Sequence, residues 1–354
     1  MNNSLTKFIS YQHGINKLLD LLGKQHPSYL NATTFQHRLQ ENINYVERYG
    51  DNENYRSTRH EILYQIDKLA LENTGNNFAE LCQMTPIQIG ESSPRYQEAV
   101  WQEYQEPEMS FIPPGSFIMG SPPELDANAF EDEYPLHIVE LSAFYIATTC
   151  VTNLQYAVFI NNTKHTPPEH WQNTIPPKNI YHHPVVNISW YSANEFCEWL
   201  SQLTQKSYRL PTEAEWEKAA RGVNASLFPW GNQWQDNSAN TREYNNNRQR
   251  TLGVDELPHA ISPYDVLNMA GNVSEWTSSL WGRDNPRPEF PYPYVPTDSR
   301  EAVDAPPNIL RIIRGGSFLR DKRYARCACR DKLFPKSTRK DVGFRLALSS
   351  VFLR

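Results

Sequence analysis

The sequence predicts an α+β protein: a small helical bundle, then a larger domain with short strands, few helices and long loops. Three observations predict it. Residues 1–85 repeat apolar side chains every three or four positions and contain one proline, Pro27, and no tryptophan. From Met109 onward proline, glycine and tryptophan become frequent, and the apolar runs shorten to strand length. Within that second region a few segments keep complete helix-start signals, so helices are inserted among strands and loops.

Length and composition set outer bounds. A chain of 354 residues suits two domains. The formal net charge of −6 argues against a nucleic-acid partner bound through a basic surface. Five cysteines (Cys82, Cys150, Cys197, Cys327, Cys329) are an odd and sparse set, unlike a disulfide framework. No run of about 18 apolar residues suggests a membrane span. The N-terminus lacks the unbroken apolar stretch of a signal peptide. A soluble, cytoplasmic protein is the expectation.

In the first region Ile15, Leu18, Leu19 and Leu22 share a helical face, as do Phe35, Leu39, Ile43 and Val46. A third set, Ile62, Leu63, Ile66, Leu69 and Leu71, is entered through Thr58 and Glu61 at capping-box spacing and ends in Asn73-Thr74-Gly75. Phe78, Leu81 and Met84 suggest a short fourth helix. His13, His26, His37 and His60 are too scattered to hold a metal. Residues 86–108 are a linker and 109–350 the second domain.

There, Phe111–Gly120 has the punctuation of a hairpin, 124–133 is an acidic loop, and 137–146 alternates as a strand. Thr152 caps a helix to Asn161. His183–Trp190 suits a short strand. Ser192 is placed to cap a helix with Phe196, Trp199, Leu200 and Leu203 facing inward. Thr212 and Glu215 form a capping box whose helix stops at Gly222. Residues 309–314 and 342–348 are closing strands.

One stretch concentrates oxygen-bearing side chains: Val266-Leu-Asn-Met-Ala-Gly-Asn-Val-Ser-Glu-Trp276. Asn268, Asn272 and Glu275 offer oxygens, and Gly271 allows a tight turn that exposes carbonyls. Taken alone it is either a turn or a site for a hard cation such as calcium.

Two resemblances extend this. Glu61–Cys82 resembles the end of effector-associated domains, helical adaptors of bacterial signalling and defence proteins. That implies docking to a protein partner carrying the same kind of domain. The ordered motifs Ile112-Pro-Pro-Gly-Ser-Phe-Ile-Met-Gly120, His183-Pro-Val-Val-Asn-Ile-Ser-Trp190, Arg209-Leu-Pro-Thr-Glu-Ala-Glu-Trp-Glu217, Phe228-Pro-Trp-Gly-Asn232, Asn268–Trp276, Arg314-Gly-Gly-Ser-Phe318 and Val342-Gly-Phe-Arg345 resemble the formylglycine-generating enzyme (sulfatase-modifying factor) family, a variant of the C-type-lectin fold. Fold does not settle function.

The resemblance implies structural calcium held by the Asn268 side chain, the Gly271 and Val273 carbonyls and the Glu275 carboxylate. A second site would use Asn240 and the Thr241 carbonyl, with further ligands in Tyr244–Arg248. Catalytic relatives oxidise a cysteine with copper on two cysteines after Arg-Gly-Gly-Ser. Here Arg320 stands at the first position and the second has no counterpart, so copper is not expected. Cys327 suits a packing position and Cys329 is extra, although alternate strand residues share a face. The His-x-x-x-His-x-Glu motif of the iron-dependent sulfoxide synthases is absent, since His37 is followed only by Leu39 and Glu41.

The expected function is therefore a non-catalytic sensor or effector. Its cleft would present Arg320, Lys322 and Arg323, with Trp281 and Tyr324 as aromatic platforms, to an acidic or extended peptide or protein. Arg314, Arg326, Arg330 and Arg345 are assigned to the fold. A solvated charged face is the plainer alternative. Two others are a metal-dependent oxidoreductase of formylglycine-generating or sulfoxide-synthase type, using a displaced copper site or Cys327 and Cys329, and a variable binding protein diversified by a retroelement.

Overall fold

The computed structural model describes residues 3–24, 26–29, 31–39, 53–75, 81, 106–171, 173–244, 250–257, 260–283 and 286–349. They belong to two compact units, Met1–Tyr96 and Gln97–Arg354. No helix among the described residues is long and apolar enough to cross a membrane.

The first unit contains α1 (Asn3–Leu22), α2 (31–39) and α3 (Glu53–Thr74). Ile15, Leu18, Leu22, Leu39, Ile62, Ile66, Leu69 and Leu81 form one buried core, as the three-and-four spacing requires. Gly23 and Gly75 take positive φ after α1 and α3, and each donates its N–H to the carbonyl four residues back. Two expectations are corrected. α3 begins at Glu53, so Thr58 lies inside it, because no proline or glycine interrupts 53–58. Leu71 is exposed, having rotated off the core stripe. Ile43, Val46, Phe78, Met84 and most of the linker lie outside the described residues.

The second unit is built on two four-stranded sheets and a ribbon. β1 (Met109–Ile112), β4 (Phe144–Ala147), β10 (Ala347–Ser349) and β5 (Tyr208–Arg209) form one sheet in that order. β2 (Gly115–Met119) pairs with β3 (His137–Leu141). The other sheet runs β8 (Arg330–Leu333), β7 (Leu310–Arg314), β6 (Ser274–Gly282), β9 (Val342–Gly343). Its β6–β9 pairing is parallel.

The expected Phe111–Gly120 hairpin does not form. β1 and β2 pair with β4 and β3 instead. Pro113 and Pro114 have no N–H to give a hairpin ladder, so the chain turns a corner between sheets. The predicted 137–146 strand is likewise two strands, divided at Ser142-Ala143. The expected His183–Trp190 strand is a loop over 183–189 with one bridge, Thr152 to Pro184, and Trp190 opens the next helix; Asn187 takes φ of 58°, which no strand accommodates.

α4 (Asn153–Thr163) starts with a capping box between Thr152 and Gln155. α5 (Trp190–Thr204) is capped by Ser189, not Ser192. The Trp190 N–H is taken by the Pro335 carbonyl, and this tertiary bond sets the start one turn earlier. Leu203, expected to face inward, is exposed. The helices pack through Tyr156, Phe159 and Phe196, with Trp171 and Phe344 beneath. The Asn153 amide donates to the carbonyls of Ile180, His183 and Pro184 and fixes the intervening loop.

α6 (Glu213–Arg221) has its expected capping box and Gly222 stop. Every residue of it is buried, including Glu213, Glu217, Lys218 and Arg221. Buried charges must be paired: Glu213 and Glu217 meet arginines of β8 and β7, Arg221 pairs with Glu217 one turn back, and Lys218 donates to the Pro113 and Gly115 carbonyls.

Candidate functional site

Three segments distant in sequence are joined by backbone hydrogen bonds. Gly271 donates to the Gly315 carbonyl at 2.7 Å, Asn272 to that of Asn240 at 2.8 Å, and Phe318 to that of Asn272 at 3.0 Å. The approach is close enough to require glycine. A Cβ on Gly271 would lie 2.7 Å from the Asn240 oxygen, and one on Gly316 2.7 Å from the Tyr324 oxygen.

Within the oxygen-rich turn, Asn268 and Asn272 take φ of 56° and 62°, a conformation asparagine tolerates. The Asn272 side chain accepts from Leu252 N–H and donates to the Leu252 carbonyl. The Asn268 amide donates to the Val254 carbonyl at 2.5 Å.

Glu275 departs from expectation. Its carboxylate accepts from Arg345 Nε at 2.6 Å, from Arg345 Nη2 at 2.8 Å and from Trp216 Nε1 at 2.8 Å. Both ion-pair side chains are wholly buried. Arg345 spends its other protons on the Ala147 and Leu267 carbonyls.

The role of calcium ligand therefore does not fit Glu275, whose charge is already neutralised by a guanidinium. Asn268, Gly271 and Val273 then supply only neutral oxygens, short of the carboxylate-containing shell of six to eight that calcium takes. At the second expected site the Asn240 amide donates to the Arg250 carbonyl and to Asn272 Oδ1. The Thr241 carbonyl accepts from Tyr244 N–H. The other expected ligands fall largely at 245–249, outside the described residues. No group of three or more His, Cys, Asp or Glu side chains suited to a metal occurs among the described residues.

The basic segment after Arg-Gly-Gly-Ser is largely matched by the chain itself. Arg320 pairs with Asp331 at 2.9 Å and lies 4.7 Å from the Tyr324 ring centroid. Arg323 lies 3.8 Å over the Phe130 ring and donates to the Asn128 carbonyl. Arg326 is held by Asp126 at 2.7 Å and by both oxygens of Glu133. Arg330 pairs with Glu213, and Arg314 with Glu217.

The acidic loop thus neutralises Arg326 nearly 200 residues later, which no local pattern shows. Lys322 is exposed, beside an Asp321 that caps the next turn and pairs with Arg242. Trp281 is fully buried, so it is not a platform for a ligand. It sits in β6, covered by Lys332 at 4.0 Å and Arg330 at 5.3 Å from its ring centroid.

Arg320, Tyr324 and Asp331 enclose a small hollow whose lining includes Gly315, Gly316 and Cys329. Cys327 instead joins the core around Trp216 and Phe144. The two thiols do not share a face, because 326–329 form a turn before β8. Burial pushes the Cys327 thiol up to about 12 and the Cys329 thiol higher still. Both stay protonated, whereas the thiolate is the nucleophile and the metal ligand.

Residues 96–350 match the sulfatase-modifying factor enzyme 1-like domain. The chain belongs to that family. It is 29% identical over 293 residues to the formylglycine-generating enzyme of Mus musculus, covering 67% of this chain and 73% of that protein. An inactive C-alpha-formylglycine-generating enzyme 2 of Mus musculus is 26% identical, covering 70% of this chain and 87% of that protein. The serine/threonine-protein kinase pkn1 of Chlamydia caviae is 29% identical over 68% of this chain, and the match spans 38% of the kinase. Among solved structures, PvdO from Pseudomonas aeruginosa superposes with a TM-score of 0.55 at 26% identity, over 69% of this chain and 94% of that one.

Proposed function

We propose that this family member is a non-catalytic binding protein. The observation that carries this reading is the hollow after Arg-Gly-Gly-Ser. An arginine locked to Asp331 stands there in place of a cysteine, and the one thiol on its wall is held protonated. A relative named as an inactive formylglycine-generating enzyme is in keeping with loss of chemistry on this scaffold.

The ligand surface is the rim formed by Arg320, Lys322, Arg323 and Tyr324, and the ligand an acidic peptide or protein segment. Lys322 supplies free charge there, while Arg320 and Arg323 are pre-oriented by aromatic rings. The first unit has its own core and lies outside the family match. Its role is docking to a protein partner in a signalling or defence system. Kinase pkn1 offers a parallel, in that a domain of this kind forms part of a larger signalling protein.

Anaerobic Cu(I) titration of the full chain is expected to show no tight stoichiometric site, and a cysteine peptide from a sulfatase is expected to remain unconverted. Tight copper binding lost in Cys329→Ala, or aldehyde formation on the peptide, would overturn the reading. For the rim, a fluorescein-labelled oligoglutamate peptide is the probe. Lys322→Glu is expected to weaken its binding about tenfold, consistent with roughly 1.4 kcal/mol for one charge-assisted contact. Unchanged affinity would remove Lys322 from the ligand surface.

A further inference from the structure

The hollow beside Arg320 holds a polar group that the fold leaves unused. Ser274 opens β6 and lines this hollow. It is 4% exposed, and its N–H donates to the Asp341 carbonyl at 2.9 Å. Its hydroxyl makes no hydrogen bond with any described residue.

Leaving a buried hydroxyl unpaired costs stability, so such groups are nearly always bonded. Other serines around β6 follow that rule: Ser278 and Ser279 donate to Glu301, and Ser317 to Asp341. Ser274 departs from it at the wall of the hollow.

The unspent capacity around the hollow is donor capacity. Both oxygens of Asp331 are taken, Oδ1 by the Lys332 N–H at 2.8 Å and Oδ2 by Arg320 Nη2 at 2.9 Å. Arg320 gives Asp331 one proton and keeps the rest of its planar fork for another acceptor. The Tyr324 ring centroid lies 4.7 Å from that guanidinium and steadies it. Cys329, on the same wall, stays protonated and adds no negative charge. Spare donors beside a cation suit an anionic acceptor. The room is small, about 10 Å3, which admits one water-sized atom. A flat carboxylate can send one oxygen inward and keep the other at the mouth, whereas a tetrahedral phosphate is too broad.

We propose that the hollow seats one carboxylate of the acidic ligand, with one oxygen inside accepting the Ser274 O–H and the other at the mouth on the Arg320 fork. This rests on the reading of the rim as the ligand surface and adds to it a buried contact that sets specificity. A glutamine in the ligand would turn an amide N–H2 toward one of the two donors, so the pair selects a carboxylate over its amide. The hydroxyl that the fold leaves unpaired is paired only when the ligand is bound.

The test measures binding of fluorescein-labelled oligoglutamate to the full chain by fluorescence anisotropy, with the peptide's C-terminus amidated or free. Ser274→Ala is expected to weaken binding about tenfold, the scale of one hydrogen bond to a charged group. The same variant is expected to keep or raise the melting temperature, because the hydroxyl it removes has no partner in the fold. In an Arg320→Gln background the Ser274→Ala loss is expected to shrink to about twofold or less, since both side chains hold one carboxylate. Dependence on Ser274 with both peptides assigns the seat to a glutamate side chain, and with the free acid alone to a chain end. Full affinity in Ser274→Ala, where Lys322→Glu still weakens the probe, overturns the seat and leaves the rim standing. If neither variant weakens it, the rim reading falls and the seat falls with it. A lowered melting temperature in Ser274→Ala also overturns the proposal, since the hydroxyl would then serve the fold.

Discussion

Glu275→Ala is expected to lower the stability of the second unit by about 3–5 kcal/mol, the scale for removing one partner of a buried ion pair. The substitution leaves the Arg345 guanidinium in the interior without a counter-charge, and leaves Trp216 Nε1 without an acceptor. For a domain of this size each kcal/mol shifts the thermal midpoint by roughly 2–4 °C, so the drop is on the order of ten degrees. Tryptophan fluorescence is the right probe, because all nine tryptophans lie in the second unit.

The expected drop is the same in calcium and in EDTA, because the Arg345 guanidinium already neutralises the carboxylate. A wild-type protein that falls to the variant's midpoint when EDTA is added would restore calcium as the partner of Glu275. A Glu275→Leu/Arg345→Met double variant is expected to recover part of the loss, since no lone charge remains buried.

The same residue shows what the sequence could convey. The motif around Asn268–Trp276 located the turn and the family, because glycine and asparagine at those positions follow from backbone angles that few other residues adopt. It did not show that Glu275 faces Arg345, which is a matter of packing across 70 residues. Helix ends divide along the same line. Thr152 and the Thr212–Glu215 box were legible because both hydrogen-bonding partners lie within one turn. Ser189 and Ser192 were interchangeable on local grounds, and the carbonyl of Pro335 decided between them.

At the site, Arg320 could be recognised as standing where a ligand cysteine would, and Tyr324 as its neighbour. The partners that reduce its free charge, Asp331 for Arg320 and Phe130 for Arg323, could not. Trp281 was expected to be an aromatic platform beside the basic segment. It is a wall of the core because Arg330 and Lys332 both lie over its ring.

Arg326→Ala is the second large effect, and its size depends on pH. Arg326 is almost completely buried against Glu133 and Asp126, and ties the acidic loop to the segment that forms the hollow. Burial already raises the Glu133 carboxyl above its ordinary value, while Arg326 acts to lower it. Without Arg326 the lowering influence disappears and the folded-state pKa rises further. Between the unfolded and folded values the folded protein then binds more protons than the unfolded chain, so stability falls as pH rises through that window.

The penalty of Arg326→Ala is therefore expected to be about 3–5 kcal/mol near pH 8 and distinctly smaller near pH 5, where Glu133 can be buried neutral. Denaturant melts of both proteins across that range measure the difference. Adding Glu133→Gln to Arg326→Ala is expected to flatten the pH dependence and recover part of the stability, because an amide can be buried at lower cost than a lone carboxylate. A penalty equal at both pH values would mean that Arg326 acts by packing over Phe130 and not by holding the Glu133 charge. If the pH dependence is found, the loop from Asp126 to Glu133 is an electrostatic clamp on the basic segment. The same variant should then also weaken the oligoglutamate probe, since Arg323 reaches Asn128 and Phe130 on that clamped loop and would lose its fixed direction.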